Sequence, residues 1–416
     1  MIKHLLKIIW NERSHNIGIW IELFLVSLFL WYITDYLYVT ISEYNKPLGF
    51  DIENTYLVQL GILNEQNIDF VKDESLDADV ARFMTMLERI QHNSMIEAAS
   101  ISFNSSPHIG NNSAQTLFRD TLQSSNALRR MVTPDFFRVF RYKSKNGSTD
   151  ELVQALENDE LVISANIEKN LFGKEESAVG KDISFEKSDS AQLVHVGGVS
   201  TNIRYDNFSN WESYFASKLN NNYYRYFARD YVDLMEICVR VKPEEDYDFS
   251  NRFRQQMTEQ LRLGNYYLNT IQSIPENKKA FQLDDMNDLR MRFFIIFFLL
   301  INIFLGITGT FWFRTQYRRN EIGVRIAMGE TRKGLLKMFY TEGLLLLTFA
   351  MIPAMLVFAF IKNAEILHYY WTFTIGRYFI GFGITYLLLA LMILLGIWFP
   401  ARRAVKVSPA DALRDE

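Results

Sequence analysis

The chain has 416 residues, of which 49% are hydrophobic, 15% aromatic and 22% charged, with a net charge of −4. Its 33 Phe, 21 Tyr and 7 Trp supply enough apolar surface to exclude disorder, and a single cysteine, Cys238, excludes a disulfide scaffold. A sequence pI of about 6.0 argues against nucleic-acid binding. The mean hydropathy of −0.05 is an average over two unlike populations, long apolar stretches set in a polar remainder.

Residues 1–16 form a basic leader with Lys3, Lys7 and Arg13. Ile17–Tyr38 is long enough to cross a bilayer, which takes roughly 20 apolar residues, so residues 17–39 are expected to be a first transmembrane helix. No small-residue cleavage site follows, which argues against a signal peptide. Glu22 and Asp35 lie near opposite ends of this span, where interfacial positions are expected for them.

Residues 40–289 read as one large mixed α/β domain. Tyr56–Ile62, Met95–Phe103, Leu161–Ser164 and Leu193–Val199 have the look of strands, and Asn265–Ser273 is expected to be a strand leading back to the membrane. Asp77–His92 has helical spacing at Val80, Phe83, Met84 and Leu87. Glu168–Phe172 is expected to be a short helix ended by Gly173, and Asp248–Leu263 another helix. The histidines at 4, 15, 92, 108, 195 and 368 are scattered, with no metal-ligand spacing, and no G-x-S-x-G elbow is present. His108 and His195 read as ordinary core or surface residues, and Cys238 as a buried small hydrophobe. The expectation is a non-catalytic chain with no catalytic, cofactor-binding or metal residues.

Residues 290–416 carry three further spans. Phe293–Phe313 and Tyr378–Phe399 have no charge, and residues 338–361 have an uncharged core from Gly343 to Ile361, with Pro353 expected to kink it. The leader, the connection 314–337 and the tail 400–416 have net charges of +2, +5 and +1, against −4 for the whole chain. Lys and Arg collect on the cytoplasmic side, so both termini and the connection 314–337 are expected to be cytoplasmic, with residues 40–289 outside. The fold class is therefore an α+β membrane protein, four transmembrane helices with a large mixed α/β extracytoplasmic domain between the first and second.

Within the connection, Arg318–Gly329 reads RRNEIGVRIAMG. Glu321 and Arg325 are spaced to pair on one helix face, Ile322 and Ile326 form an apolar stripe, and Gly329 can end the helix. Glu330 and Thr331 can cap the next helix. A short amphipathic helix held between two spans is placed to receive force from a partner; a basic interfacial helix held by anionic membrane lipid is the alternative. The chain has no Walker A loop: Gly329–Gly334 has the glycine spacing but is followed by Leu335 and Leu336.

These residues resemble the stand-alone permease subunit of the MacB/FtsX-type ABC transporters. Arg319 to Gly329 looks like that family's R-x-E-I-G-x-R-x-A-x-G segment, and Phe339-Tyr340-Thr341-Glu342-Gly343 like its F-x-x-E-[GA] entry into the third span. Pro400-Ala401-Arg402-Arg403-Ala404 and Ser408 to Arg414 look like its C-terminal ending. Val132-Thr133-Pro134-Asp135-Phe136-Phe137, Asn170-Leu171-Phe172-Gly173 and Val196-Gly197-Gly198-Val199 resemble elements of a MacB-like periplasmic domain. Glu330 and Ser164-Ala165-Asn166 depart from the pattern without removing the amphipathic logic.

The resemblance implies a bacterial inner-membrane permease that works as a dimer, with itself or a related copy, beside a separate cytoplasmic ABC ATPase. ATP and Mg would act through that partner, and a periplasmic adaptor is compatible with it. The coupling residues would be Arg319, Glu321, Ile322, Gly323, Arg325, Ile326, Ala327 and Gly329. Mechanotransmission to the outside domain would export or extract a peptide, lipoprotein or hydrophobic drug. The other reading is an FtsX-like regulator of a cell-wall hydrolase, with no transported substrate.

Overall fold

The computed structural model describes residues 10–11, 13–72, 75–173, 176–188, 190–363 and 374–405. The chain divides into two compact units, one of Met1–Tyr44 with Asp285–Glu416 and one of Asn45–Asp284.

The second unit is built on β1 (Thr55–Ile62), α2 (Leu76–Gln91), β2 (Ile96–Phe103), β3 (Ser113–Arg119), β4 (Leu122–Val132), α3 (Phe136–Val139), α4 (Asp150–Glu157), β5 (Leu161–Ser164) and α5 (Ala165–Phe172). It continues through β6 (Asp182–Ser184), β7 (Leu193–Ser200), β8 (Ile203–Arg204), β9 (Trp211–Glu212), β10 (Tyr214–Lys218), α6 (Asn221–Asp230), β11 (Met235–Val241), α7 (Phe249–Met257), β12 (Tyr266–Ser273) and α8 (Ile274–Phe281). Ten strands form one sheet in the order β10-β5-β7-β6-β3-β4-β2-β11-β1-β12. A further parallel pairing of β10 with β4 closes six of these strands into a ring. The ring strands share an apolar cluster that includes Leu117, Ile163, Ile183, Val196 and Phe215.

Strand alternation sorts the rest of the core. Successive side chains of a strand point to opposite faces. On β11, Ile237 and Val239 pack with Phe83 and Leu87 of α2, Phe227 of α6 and Phe253 of α7. Cys238 belongs to the opposite face, with Phe136, Phe137 and Leu152 of α3 and α4. Its neighbours in that alternation, Glu236 and Arg240, are both buried. Burial of charge is tolerated here because each has partners. Arg240 donates from Nε to the Val139 carbonyl at 2.6 Å, from Nη2 to Asp51 O at 2.7 Å and from Nη1 to Glu53 O at 2.8 Å. Burial pushes the Cys238 thiol up, so it is an inert core atom, as its sequence context suggests.

The other unit holds the long helices α1 (Arg13–Tyr44), α9 (Leu283–Tyr317), α11 (Arg332–Asn363) and α12 (Ile375–Ala404), with the short α10 (Arg319–Ala327) between α9 and α11. All four long helices are long and apolar enough to cross a membrane. Their shared core includes Leu30, Trp31, Ile307, Leu347, Leu389 and Ile393. At Gly343 on α11, a Cβ would lie 2.6 Å from Ile397 Cδ1 and 2.8 Å from Ile393 Cγ2, so a larger residue would displace these α12 side chains. Pro353 lies inside a continuous α11.

Several elements differ from the sequence expectations. The helix expected over Asp248–Leu263 ends at Met257, and β12 does not lead straight into a span because α8 intervenes. The β3–β4 hairpin has polar strands and turns at Asp120, with φ +52, a weak sequence signal. Asp35 has a buried partner that the sequence did not indicate: Arg377 of α12 meets it bidentately, at 2.8 and 2.6 Å, and both are buried. Arg377 sits in the first turn of α12, which Thr374 caps. Helix α9 starts ten residues before its apolar stretch because its polar turns find partners on α1. Arg292 Nε donates to Asp288 at 2.7 Å, and Tyr36 donates to the same carboxylate at 3.1 Å. Glu22, half-buried, sits against Gly306 of α9.

Arg240→Leu should destabilise the protein by about 3 kcal/mol, because the carbonyls of Val139, Asp51 and Glu53 lose a buried donor. Thermal unfolding of the purified full-length chain checks this. A midpoint equal to wild type would show that the arginine does not hold β11 to the segment 51–53.

Candidate functional site: the helix between the second and third long helices

Helix α10 begins directly after α9, with Tyr317 the last residue of one and Arg319 the first of the next. It ends in a glycine-dependent cap. Gly329 has φ +95, a left-handed conformation that costs glycine nothing. Glu330 N donates to Arg325 O at 3.0 Å and Gly329 N to Ile326 O at 3.0 Å, the paired bonds of a Schellman motif. The chain restarts at once. Thr331 Oγ1 accepts from Gly334 N at 3.1 Å and so caps the first turn of α11. Tight stops on both sides fix the direction of α10 relative to its neighbours.

The inward face of α10 is bolted down by packing. Ile322 is 2% exposed and joins Leu335, Met338 and Phe339 of α11 in the shared core. Ile326, half-buried, packs against the same cluster, and Gly323 is buried beside them.

A chain of charges fastens the same face. Glu342 of α11 is 1% exposed and lies between two arginines. Arg314 Nη2 stands 2.9 Å from its Oε1, and Arg318 Nη1 donates to its Oε2 at 3.2 Å. Arg318 also donates from Nε to Glu321 at 3.1 Å. Glu321 in turn accepts from Arg325 Nη2 at 2.8 Å, the i,i+4 pair expected from sequence. Arg325 reaches Glu330 at 3.5 Å and Met338 Sδ at 3.6 Å. The series runs from the end of α9, along α10, to α11. Within an apolar bundle such a buried acid is kept only when its charge is met.

The opposite face is open. Val324 is 42% exposed, Met328 76% and Tyr317 87%. Asn320 and Ala327 are exposed beside them. The expected coupling residues thus divide in two. Ile322, Gly323, Glu321, Arg325 and Ile326 hold the helix in place, whereas Ala327 faces outward and Gly329 shapes the exit. The backbone of Arg319 starts α10, and its side chain lies outside the described ones. Glu342, Arg314 and Arg318 complete the site. Glu342 stood in the quoted entry motif, and a lone acid ahead of an apolar span is the signal that points to it.

The small residues of the C-terminal motif also have a place. Pro400, Ala401 and Ala404 are buried where α12 joins the shared core. Arg403 lies 4.8 Å from the Trp312 ring of α9, a cation–π contact. The remainder of that motif, Ser408 to Arg414, lies outside the described residues. Among the described residues no cluster of His, Cys, Asp and Glu suited to a metal occurs.

Comparison with known proteins gives two family matches. The FtsX-like permease C-terminal model matches residues 293–409, and the MacB-like periplasmic core domain model matches residues 33–255. Among solved structures, the chain is similar to the periplasmic region of MacB from Actinobacillus actinomycetemcomitans. That match has 14% identity and a TM-score of 0.33, and covers 56% of this chain and 94% of that one. It is also similar to a domain from Porphyromonas gingivalis described as belonging to a permease, with 15% identity and a TM-score of 0.33, covering 54% and 90%. No curated protein matches the sequence.

Glu342→Ala leaves two guanidinium groups in the bundle without their shared acid, and should cost about 3–5 kcal/mol. Thermal unfolding in detergent is the check. Glu342→Asp, which keeps the charge, should recover part of the loss. Equal midpoints for wild type and Glu342→Ala would show that the arginines do not depend on it.

Proposed function

We propose a function from one premise: this chain belongs to the MacB/FtsX-like family of ABC-transporter permeases. It is a multi-pass membrane protein with a periplasmic-type domain between its first and second long helices. Members of this family work with an ABC ATPase. In our reading that ATPase is a separate cytoplasmic chain and docks on the open face of α10. ATP and Mg bind the ATPase, and this chain does no chemistry of its own.

The observation that carries the reading is the two-sidedness of α10. Its inner face is locked to α9 and α11 by Ile322 and by the Arg314–Glu342–Arg318–Glu321–Arg325 series. Its outer face offers Val324 and Met328 to a partner, and Tyr317 at the end of α9 is exposed as well. A push on the outer face cannot be absorbed by slack in α10. It has to move α9 and α11, and α9 is joined to the periplasmic-type unit through residue 282. Close packing supports this, because packed interiors transmit displacement and do not yield locally.

Topology supports the same reading. With residues 45–284 outside the cytoplasm, two crossings return α10 to the cytoplasmic side, along with the basic residues around it. Both termini are then cytoplasmic. The work done outside is export or extraction of a peptide, lipoprotein or hydrophobic drug. Passage through the membrane core is not required, and the paired state of Asp35 and Arg377 fits a structural role better than a proton path. A second copy of the permease completes the transporter.

The test separates docking from folding. Val324→Asp with Met328→Asp changes only the open face. It should keep the wild-type melting temperature and lose the ABC ATPase that co-purifies from native membranes. Ile322→Asp buries a charge and should lower the melting temperature itself, by several kcal/mol of stability. Retention of the ATPase by the well-folded double variant would overturn the docking assignment.

A further inference from the structure

The periplasmic-type unit holds a cleft of about 440 Å³, within the range of small-ligand sites. Its walls come from one unit: Leu57 and Gln59 of β1, Glu236 of β11, Asn277 and Phe281 of α8, and the loop before β3. That loop contributes His108, Ile109 and Asn111.

His108, read from sequence as an ordinary core or surface residue, is a buried lining residue of this cleft. It is 3% exposed, and neither ring nitrogen has a hydrogen-bond partner among the described residues. Buried imidazoles are almost always partnered, so such a group calls for an explanation. Its ring is boxed by Phe50, Tyr205 and Phe281, with centroids 6.3, 6.3 and 6.1 Å away. Burial, with Lys278 adding to it, lowers its pKa to about 4, so the ring is neutral and offers one donor and one acceptor.

The segment carrying it is strained. Asn104, His108 and Gly110 have φ of +47, +61 and +80, three left-handed residues within seven. Non-glycine residues held this way cluster at ligand clamps and switch regions. Arg130 donates from Nη1 to Asn112 of this loop at 3.1 Å, and its Nε is also buried without a partner. At His108, a lining residue, unspent hydrogen-bonding capacity and a positive φ therefore coincide.

The lining sets the chemistry. Leu57, Ile109, Met235 and Phe281 give an apolar surface. Gln59, Asn111, Gln272 and Asn277 are primary amides, each a donor and an acceptor. The acidic lining residues are Asp233 and Glu236, with no lysine or arginine among them, and burial pushes the Glu236 carboxyl above the usual carboxylate range. Glu236 is held in place by Ser102 Oγ, Ser105 N and Ser106 N at 2.7, 3.0 and 2.7 Å. We propose that this cleft binds a short apolar peptide through its main-chain amides, amino end towards the acidic residues, with the loop 104–110 yielding to bring His108 into contact. Neutral His108 supplies the donor and acceptor that a peptide group takes up. Helix α8, one wall of the cleft, ends at Phe281, one residue before α9 begins. The site does not rest on ATPase docking, and loss of the docking assignment leaves it standing.

Isothermal titration of the full-length chain in nanodiscs tests the proposal, with the tripeptide Leu-Phe-Leu amide, its N-acetyl derivative and phenethylamine as probes. The tripeptide amide should bind, N-acetylation should weaken it, and phenethylamine, an amine without peptide groups, should not bind. His108→Phe keeps a ring and removes both nitrogens, and should weaken the tripeptide at least tenfold. Ala280→Trp fills the cleft from an exposed position on α8 and should abolish binding with an unchanged melting temperature. It carries the test if His108→Phe does not fold. No heat with the tripeptide at millimolar concentration, or undiminished binding by Ala280→Trp, would overturn the site. Phenethylamine binding as tightly as the tripeptide would overturn the peptide reading.

Discussion

The membrane unit depends on one buried carboxylate. Glu342 sits between Arg314 and Arg318, where water cannot pay its solvation and two guanidinium groups must. Because Arg314 belongs to α9, Arg318 to the junction with α10, and Glu342 to α11, satisfying this acid fixes three elements at once. Glu321 and Arg325 extend the constraint along α10, and Ile322 adds packing to charge. In the proposed function, a helix held so closely on one face acts as a lever, and force enters at its other face. The Asp35–Arg377 pair does similar work between α1 and α12. The two buried ionic links join α9 to α11 and α1 to α12.

The parts of this architecture that were legible in the sequence are those set by local chemistry. The four spans follow from apolar length, although Glu22 and Asp35 interrupt the first, and the i,i+4 pairing of Glu321 with Arg325 from helical periodicity. The stop at Gly329 followed from glycine's tolerance of positive φ. Strands such as Leu161–Ser164, buried on both faces, showed as short apolar runs.

What the sequence hid was set by long-range partnership. Ile322 and Val324 sit two residues apart in one motif and look alike, yet one is buried and the other faces out, because only tertiary packing decides which side of α10 meets α11. Arg377 and Asp35 are 342 positions apart, so nothing in the sequence around Asp35 points to its partner. His108 looked ordinary because its neighbours in sequence give no hint of the aromatic box or of the missing partners. In the periplasmic-type domain the ring closed by β4 and β10 joins strands far apart in sequence, and no local pattern announces such closure.

The central claim is that a cytoplasmic ATPase bears on the outward face of α10. A photo-cross-linking side chain placed at Met328 in cells, with a second at Leu356 on an exposed face of α11 as control, tests it most directly. The account predicts that Met328 captures an ABC ATPase and that Leu356 does not. An ATPase captured from Leu356 and never from Met328 would contradict it.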